Sequence, residues 1–154
     1  VKLGMPKVSF KVNVENDSLG RNGSDKVSFL FSANNNQLQN ISEIASGGEI
    51  SRVMLSLKAI INNYCNLPTI IFDEIDTGVS GKIAEMMAQI MLEMGNNNRQ
   101  IICITHLPQI AAKGKAHFKV YKEITGDSYT SYMKHLNKIF ISWSFNFKFC
   151  FISP

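Results

Sequence analysis

Four short polar stretches in this sequence carry residue types that could bind and cleave a phosphate ester. They are Ser46-Gly47-Gly48-Glu49, Asp73-Glu74, Asp76-Thr77-Gly78 and Thr105-His106. Each stretch lies next to a predicted helix or strand, so the regular elements of a hydrophobic core would hold all four in place. Their order along the chain carries more information than any one of them alone.

The first stretch combines a helix cap with two adjacent glycines. Ser46 and Glu49 have the spacing of a capping box, in which two side chains satisfy the free N–H groups at the start of a helix. Gly47 and Gly48 are not required for that cap, but they let backbone N–H groups approach a ligand at the positive end of the helix dipole. The pattern therefore predicts a phosphate-binding helix start or a plain cap, and the plain cap is the commoner of the two.

Two carboxylates follow the short apolar strand predicted over residues 69–72. The carboxyl end of a buried strand is where ligands bind in open α/β sheets. Asp73 could hold Mg²⁺, in part through water, and Glu74 could polarise the water that attacks a γ-phosphoryl group. A strand that merely ends in acidic residues is the alternative.

The third stretch, Asp76-Thr77-Gly78, comes directly after these carboxylates. With Ser80 as an N-cap, it predicts a turn into the next helix. It could instead form a loop that passes between two ATPase subunits. The same triplet occurs in aspartic proteases, where two such loops share a proton between carboxylates. That fold is almost entirely β, so a triplet placed between a parallel strand and an amphipathic helix disfavours the protease.

The fourth stretch places His106 just beyond a second apolar strand, predicted over residues 100–105. Because parallel strands end at the same edge of a sheet, His106 should emerge at the edge that carries Asp73 and Glu74. It could sense or polarise a γ-phosphate there. A single histidine is more often structural, and that alternative remains open.

Hydrophobic spacing predicts the elements that position these residues. Alternation over residues 8–14 and an apolar run over 27–31, joined by a turn at 16–25, indicate an antiparallel hairpin. Apolar residues at helical spacing predict one helix from Ile50 to Ile61 and another from Ile83 to Met94.

The second helix lies between two short apolar strands, which predicts a βαβ unit in a parallel sheet whose strands are buried on both faces. The methionines of that helix are expected in the core. Weaker strands over 117–122 and 129–136 should pair with each other. The expected fold class is therefore α/β, with a parallel βαβ core and an N-terminal antiparallel hairpin.

Composition limits the class of protein. A chain of 154 residues that is 45% hydrophobic can form one compact domain with a real core. The net charge of +4 comes mostly from lysines near the C-terminus, and no Lys/Arg stripe supports direct DNA contact. Three widely spaced cysteines fit neither a disulfide framework nor a zinc site, which favours the cytoplasm. We find no signal peptide or membrane span, so no membrane partner is expected.

Taken in order, the four stretches resemble the motifs of ABC ATPases: signature motif, Walker B, D-loop and switch histidine. The amino-acid sequences of these motifs are most similar to those of the RecN branch of the SMC-like proteins. The resemblance covers residues 3–138 and is carried by the segments 3–6, 29–34, 44–52, 72–81 and 103–112. It implies the C-terminal lobe of an ABC/SMC-type P-loop NTPase head, in a bacterial, nucleoid-associated protein of DNA double-strand-break repair and recombination.

The resemblance also implies a role for each site residue, with ATP and Mg²⁺ as cofactors. Asp73 would hold Mg²⁺, Glu74 would be the catalytic carboxylate, and His106 would sense the γ-phosphate. The signature residues would bind ATP held by the opposite subunit, and they are Ser46, Gly47, Gly48 and Glu49. Asp76 would lie at the dimer seam. The implied partners are a second head in a homodimer, an N-terminal lobe with its coiled coil, and DNA through the full-length protein.

No P-loop accompanies these motifs. A P-loop needs Gly, four residues and then Gly-Lys-Ser/Thr. The two Gly-Lys pairs, Gly81-Lys82 and Gly114-Lys115, are followed by isoleucine and alanine. In the SMC-like plan that motif lies in the N-terminal lobe. We therefore expect a fragment without ATPase activity of its own. An interaction lobe and an inactive truncated product are the alternatives.

Residues 139–154 depart from the family. They contain no acidic residue, and aromatic residues alternate with other types from Phe145 to Phe151, which predicts a strand. We therefore divide the chain into a head lobe at 1–138 and a divergent aromatic tail at 139–154. A frameshift or a truncated gene would produce such a tail, and a genuine docking strand is the less favoured explanation.

Overall fold

The computed structural model describes residues 3–34, 37–65, 67–96, 99–126, 128–136 and 148–153. The chain divides into two compact units, Val1–Ile50 and Ser51–Pro154. The elements in chain order are β1 (Ser9–Gly20), β2 (Gly23–Ser32), β3 (Gln39–Asn40), α1 (Ile41–Ile44), α2 (Gly47–Tyr64), β4 (Thr69–Asp73), α3 (Gly81–Met94), β5 (Gln100–Thr105), α4 (Pro108–Ala111), β6 (Ala116–Thr125), β7 (Ser128–Leu136) and β8 (Lys148–Ser153). No helix in the described part of the chain is long and apolar enough to cross a membrane.

The first unit is built on the hairpin of β1 and β2, and the predicted antiparallel pairing is confirmed. β3 pairs along the other edge of β2, which gives the sheet order β1-β2-β3. The turn is tighter than predicted, because pairing continues to Gly20 and Gly23. Gly23 has a φ of 102°, a conformation that favours glycine.

The apolar side of this hairpin is more exposed than the alternating pattern predicts. Val12 lies opposite Phe29 and Val14 opposite Val27, and these four side chains are between 49% and 60% exposed. A period of two places side chains on one face of a sheet, but it does not say whether another layer covers that face. The prediction of a half-buried first strand is therefore wrong.

The second unit contains the predicted βαβ arrangement. β4 and β5 pair in parallel, from Thr69 opposite Gln100 to Asp73 opposite Ile104, and α3 connects them. The full sheet order is β4-β5-β8-β6-β7, and the predicted pairing of β6 with β7 is confirmed. Three of the four methionines of α3 belong to the core, as predicted, and the fourth, Met86, is half-buried. The buried residues of this helix are Ala84, Met87, Ala88, Met91 and Met94.

The two parallel strands are buried on one face rather than both. Along β4, Ile70 and Phe72 are buried while Ile71 is 56% exposed. Burial alternates in the same way along β5, where Ile101 and Cys103 are fully buried. The prediction of strands covered on both faces is therefore wrong. A continuous apolar run fits a strand covered on either one or two faces, so the sequence could not separate the two cases.

The C-terminal segment contributes β8, which pairs antiparallel with β5 on one side and with β6 on the other. The predicted strand is thus confirmed for Lys148–Ser153. Residues 137–147 and Pro154, including the first aromatic residues of the pattern, lie outside the described residues. The domain boundary after residue 138 and the origin of the tail by frameshift stay predictions.

Candidate functional site

The two carboxylates lie at the carboxyl end of β4. Asp73 is the last residue of the strand and Glu74 follows it, and both are exposed. The parallel pairing continues one step beyond the strand, because the Glu74 N–H donates to the carbonyl oxygen of Ile104 at 3.1 Å. This bond places Glu74 at the edge of the sheet where β5 ends and His106 follows. The predicted juxtaposition of the two strand ends is therefore present.

Glu74 has a backbone conformation that glutamate rarely adopts. Its φ is 49°, in the left-handed region. The carbonyl oxygen of Glu74 accepts hydrogen bonds from the Thr77 N–H at 3.2 Å and the Thr77 hydroxyl at 3.0 Å, which fixes the turn. A non-glycine residue in this region costs about 1–2 kcal/mol. Glycine or asparagine would form the turn at lower cost.

The side chain of Asp76 is fully buried in the second unit. Its Oδ2 atom accepts hydrogen bonds from the Thr105 hydroxyl at 2.5 Å, the His106 N–H at 3.0 Å and the Leu107 N–H at 3.3 Å. The carboxylate of the loop after β4 thus caps the turn after β5. The sequence did not predict this contact.

The ring of His106 lies beside the same carboxylate. Its Nδ1 atom lies 3.2 Å from Asp76 Oδ2, and the His106 side chain is 57% exposed while that of Asp76 is 0% exposed. Within the described residues, no group bonds to the other ring nitrogen, Nε2. Nδ1 of the ring therefore lies beside the buried carboxylate, whereas the described residues leave Nε2 open to a ligand.

The signature stretch forms the predicted capping box at the start of α2. The Ser46 N–H and the Ser46 hydroxyl donate to Glu49 Oε2 at 2.9 Å and 2.8 Å, and the Glu49 N–H donates to Ser46 Oγ at 3.4 Å. A Cβ atom added to Gly47 would meet nothing within 4 Å. The packing of the described residues therefore does not require glycine at this position, and the open space would let a ligand approach the helix start.

A cavity of about 320 Å³ lies in the first unit beside this stretch. Its lining residues are Phe31, Ser32, Ala33, Asn34, Gln37, Gln39, Ile44 and Glu49. The Ser32 hydroxyl is buried and has no hydrogen-bond partner among the described residues. Sequence reasoning missed Ser32, because a serine at the end of a strand carries no signal of burial.

Magnesium would be held here by few protein ligands. The described residues contain no group of three or more His, Cys, Asp or Glu side chains that could hold a metal ion. Mg²⁺ at phosphate-transfer sites is usually bound by one or two carboxylates together with phosphate oxygens and water. The exposed carboxylate of Asp73 at the strand end fits that mode.

The buried position of Asp76 bears on two of its predicted roles. Because its carboxylate is used within its own chain, it is not available to share a proton with a second chain, which argues against the aspartic protease. The predicted place of Asp76 at a dimer seam is not tested by a single chain. Since the side chain is fully buried, a seam contact would have to come from an exposed neighbour such as Thr77.

Similar sequences were found among curated bacterial proteins. The chain is 42% identical over 128 residues to the DNA repair protein RecN of Bacillus subtilis, which covers 82% of this chain and 22% of that protein. It is 40% identical over 125 residues to RecN of Vibrio cholerae and 38% identical over 143 residues to RecN of Treponema pallidum. The chain spans about a quarter or less of these relatives, between 22% and 25%. No family model matches the chain.

Similar folds were found among solved SMC heads. An SMC head domain with a coiled coil and joint from Pyrococcus yayanosii superposes with a TM-score of 0.66 at 19% identity, covering 90% of this chain and 25% of that one. An SMC ATPase studied for ATP-driven dimerisation and DNA-stimulated activation gives a TM-score of 0.62 at 20% identity, covering 90% of this chain and 78% of that one. These likenesses establish an α/β fold of the SMC-head type.

Proposed function

Because this chain belongs to the RecN-type DNA repair proteins, we propose that it is the C-terminal lobe of an ATP-hydrolysing SMC-like head that acts in repair of DNA double-strand breaks. The observation that carries the proposal is the edge of the sheet where β4 and β5 end. Asp73 and Glu74 leave one strand there and His106 leaves the next, in the motif order of the family.

Each residue at this edge has a distinct part in ATP hydrolysis. Asp73 would hold Mg²⁺, and the ion would supply positive charge that stabilises the phosphates of ATP. Glu74 accepts a proton from the water whose oxygen bonds to the γ-phosphorus, while the bond from that phosphorus to the β,γ-bridging oxygen breaks and ADP leaves. His106 contacts the γ-phosphate through Nε2, the ring nitrogen to which no group among the described residues bonds.

The signature residues act on the nucleotide of a second head. Ser46 is exposed, and the open space at Gly47 allows a phosphate to approach the first N–H groups of α2. In the chain by itself the Ser46 hydroxyl donates to Glu49. A γ-phosphate oxygen would replace Glu49 as the acceptor of that proton. ATP would then join two heads, and hydrolysis would release them.

The exposed apolar row of the β1–β2 hairpin fits contact with the N-terminal lobe of the head. The row consists of Phe10, Val12, Val14, Val27 and Phe29, each at least 37% exposed. A contiguous exposed apolar row of this kind is typical of a surface that another molecule covers. The lobe that carries the P-loop is expected to cover this row. This sequence has no P-loop with which to bind ATP before two heads join.

A reassembly experiment tests this proposal. The purified chain is mixed with a separately expressed N-terminal lobe, and mass is followed by light scattering with and without ATP and Mg²⁺. We expect ATP-dependent dimers of the reassembled head and ATP turnover that neither piece gives alone. Glu49→Arg, which places a cation at the capping box, should abolish the ATP-dependent step while the two lobes still join.

Two outcomes would contradict the proposal. Glu74-dependent ATP turnover by the purified chain alone would remove the requirement for a second lobe. Failure of the lobes to associate under any nucleotide condition would favour the alternative, an inactive product or a lobe that binds some other partner.

A further inference from the structure

The loop after β4 and the loop after β5 are joined by one buried carboxylate oxygen. Asp76 Oδ2 accepts from the Thr105 hydroxyl and from two successive N–H groups, those of His106 and Leu107. It also lies 3.2 Å from the His106 ring. All of these contacts lie within the second unit, and all of them converge on Oδ2.

Burial differs sharply between the two members of the pair. The Asp76 side chain is fully buried, whereas more than half of the His106 side chain is exposed. The other carboxylate oxygen, Oδ1, is buried without a hydrogen-bond partner among the described residues. Burial of a partly satisfied carboxylate is costly. A serine or an asparagine could accept from the same turn at lower cost, so the negative charge itself has a function.

The contact with Nδ1 is the one that a plain turn cap does not need. The turn after β5 is already closed by the two N–H donors and by the bond from the Leu107 N–H to Thr105 Oγ1 at 3.0 Å. The ring contact adds nothing to that closure. It determines instead which ring nitrogen is held and which faces outward.

We propose that Asp76 is the positioning residue of His106: it holds the ring through Nδ1–H and thereby presents Nε2 to the phosphate. That Nε2 faces a phosphate rests on the proposed function, whereas the pairing of Asp76 with His106 does not. With the proton fixed on Nδ1, the neutral ring accepts a proton at Nε2, and the protonated ring donates from Nε2 to a phosphate oxygen.

The pairing also links the two loops that act on the nucleotide. Asp76 lies two residues after Glu74, in the same hydrogen-bonded turn, and its own carbonyl oxygen accepts from the Val79 N–H at 3.1 Å. A change in the position of the His106 ring would therefore be transmitted to the loop that carries the catalytic carboxylate. The carboxylate of Asp76 sets the geometry between those loops without touching substrate.

The proton position on the His106 ring tests the pairing in the full 154-residue chain. Nitrogen-15 NMR of labelled histidine distinguishes the Nδ1–H and Nε2–H tautomers, and His106→Gln assigns the signal. We expect the Nδ1–H tautomer in the wild-type chain and loss of that preference in Asp76→Asn. Thr105→Val should retain it, because the Thr105 hydroxyl does not bond to the ring. A wild-type ring protonated at Nε2 alone would overturn the proposal, even if Asp76→Asn failed to fold.

Kinetics of the reassembled head test the consequence of the pairing. Asp76→Asn should lower kcat by about 10- to 100-fold with little change in KM, by analogy with the loss seen when a residue that orients a metal-binding histidine is replaced. In a His106→Gln background, Asp76→Asn should add no further loss, because both changes remove the same interaction. Losses that multiply would overturn the proposal and indicate a structural role. If Glu74→Gln left turnover unchanged, the proposed function would fail. The nitrogen-15 NMR measurement of the His106 tautomer would still test the pairing of Asp76 with His106.

Discussion

Replacing Glu74 with glutamine is expected to slow ATP hydrolysis by the reassembled head by at least about 100-fold, because a positioned general base contributes about 10²- to 10⁴-fold. Glutamine keeps the size of the side chain but cannot accept the proton of the attacking water. ATP-dependent dimers should persist longer than in the wild type, since hydrolysis releases them. Single-turnover phosphate release, measured beside light scattering, separates the two effects.

The backbone of Glu74 supplies a control for this variant. Since its φ of 49° suits glycine, Glu74→Gly should be more stable than Glu74→Ala by about 1 kcal/mol in urea unfolding. Both should be as inactive as Glu74→Gln. Retained hydrolysis in any of the three would contradict the assignment of Glu74 as the general base, whatever its effect on stability.

Replacing Gly47 with alanine is expected to abolish ATP-dependent association of heads without harming the fold. A Cβ at this position meets nothing within 4 Å in the chain. Alanine in place of glycine in a helix should leave stability unchanged or raise it by about 0.5–1 kcal/mol. The same methyl group would occupy the space through which a phosphate approaches the helix start. Thermal unfolding and light scattering measure the two effects on one sample.

Gly81, at the start of α3, gives the matched control. A Cβ there also meets nothing within 4 Å, but φ is 55°. Gly81→Ala should therefore be destabilised by about 1 kcal/mol through backbone strain while ATP-dependent association is retained. If Gly47→Ala heads associated as the wild type does, the stretch from Ser46 to Glu49 would be a plain helix cap.

Local patterns in the sequence predicted the elements and the motif positions well. The capping box of Ser46 and Glu49 follows from spacing within one helical turn, and the strand ends at Asp73 and Thr105 follow from short apolar runs. The shared edge of β4 and β5 could be predicted because a strand–helix–strand unit is parallel. Each of these features depends on residues close together in the chain.

Features that depend on distant contacts could not be predicted. Asp76 accepts hydrogen bonds from residues about thirty positions later, and an aspartate in a turn gives no sign of burial. The exposure of Val12 and Val14 depends on what covers the hairpin, which a period of two does not specify. The place of β8 between β5 and β6 depends on strand pairing over long sequence separations.

The central claim is that Glu74 and the signature residues of one chain act on different nucleotides, and a mixing experiment tests it most directly. Reassembled Glu74→Gln heads and Gly47→Ala heads, each inactive by itself, are combined in equal amounts and ATP turnover is measured. If the signature acts across the dimer, a mixed pair has one intact site, so the mixture should regain turnover of up to about a quarter of the wild-type rate, the value for fully random pairing. Turnover that stays at the level of the separate variants would contradict the claim and place both functions at one nucleotide.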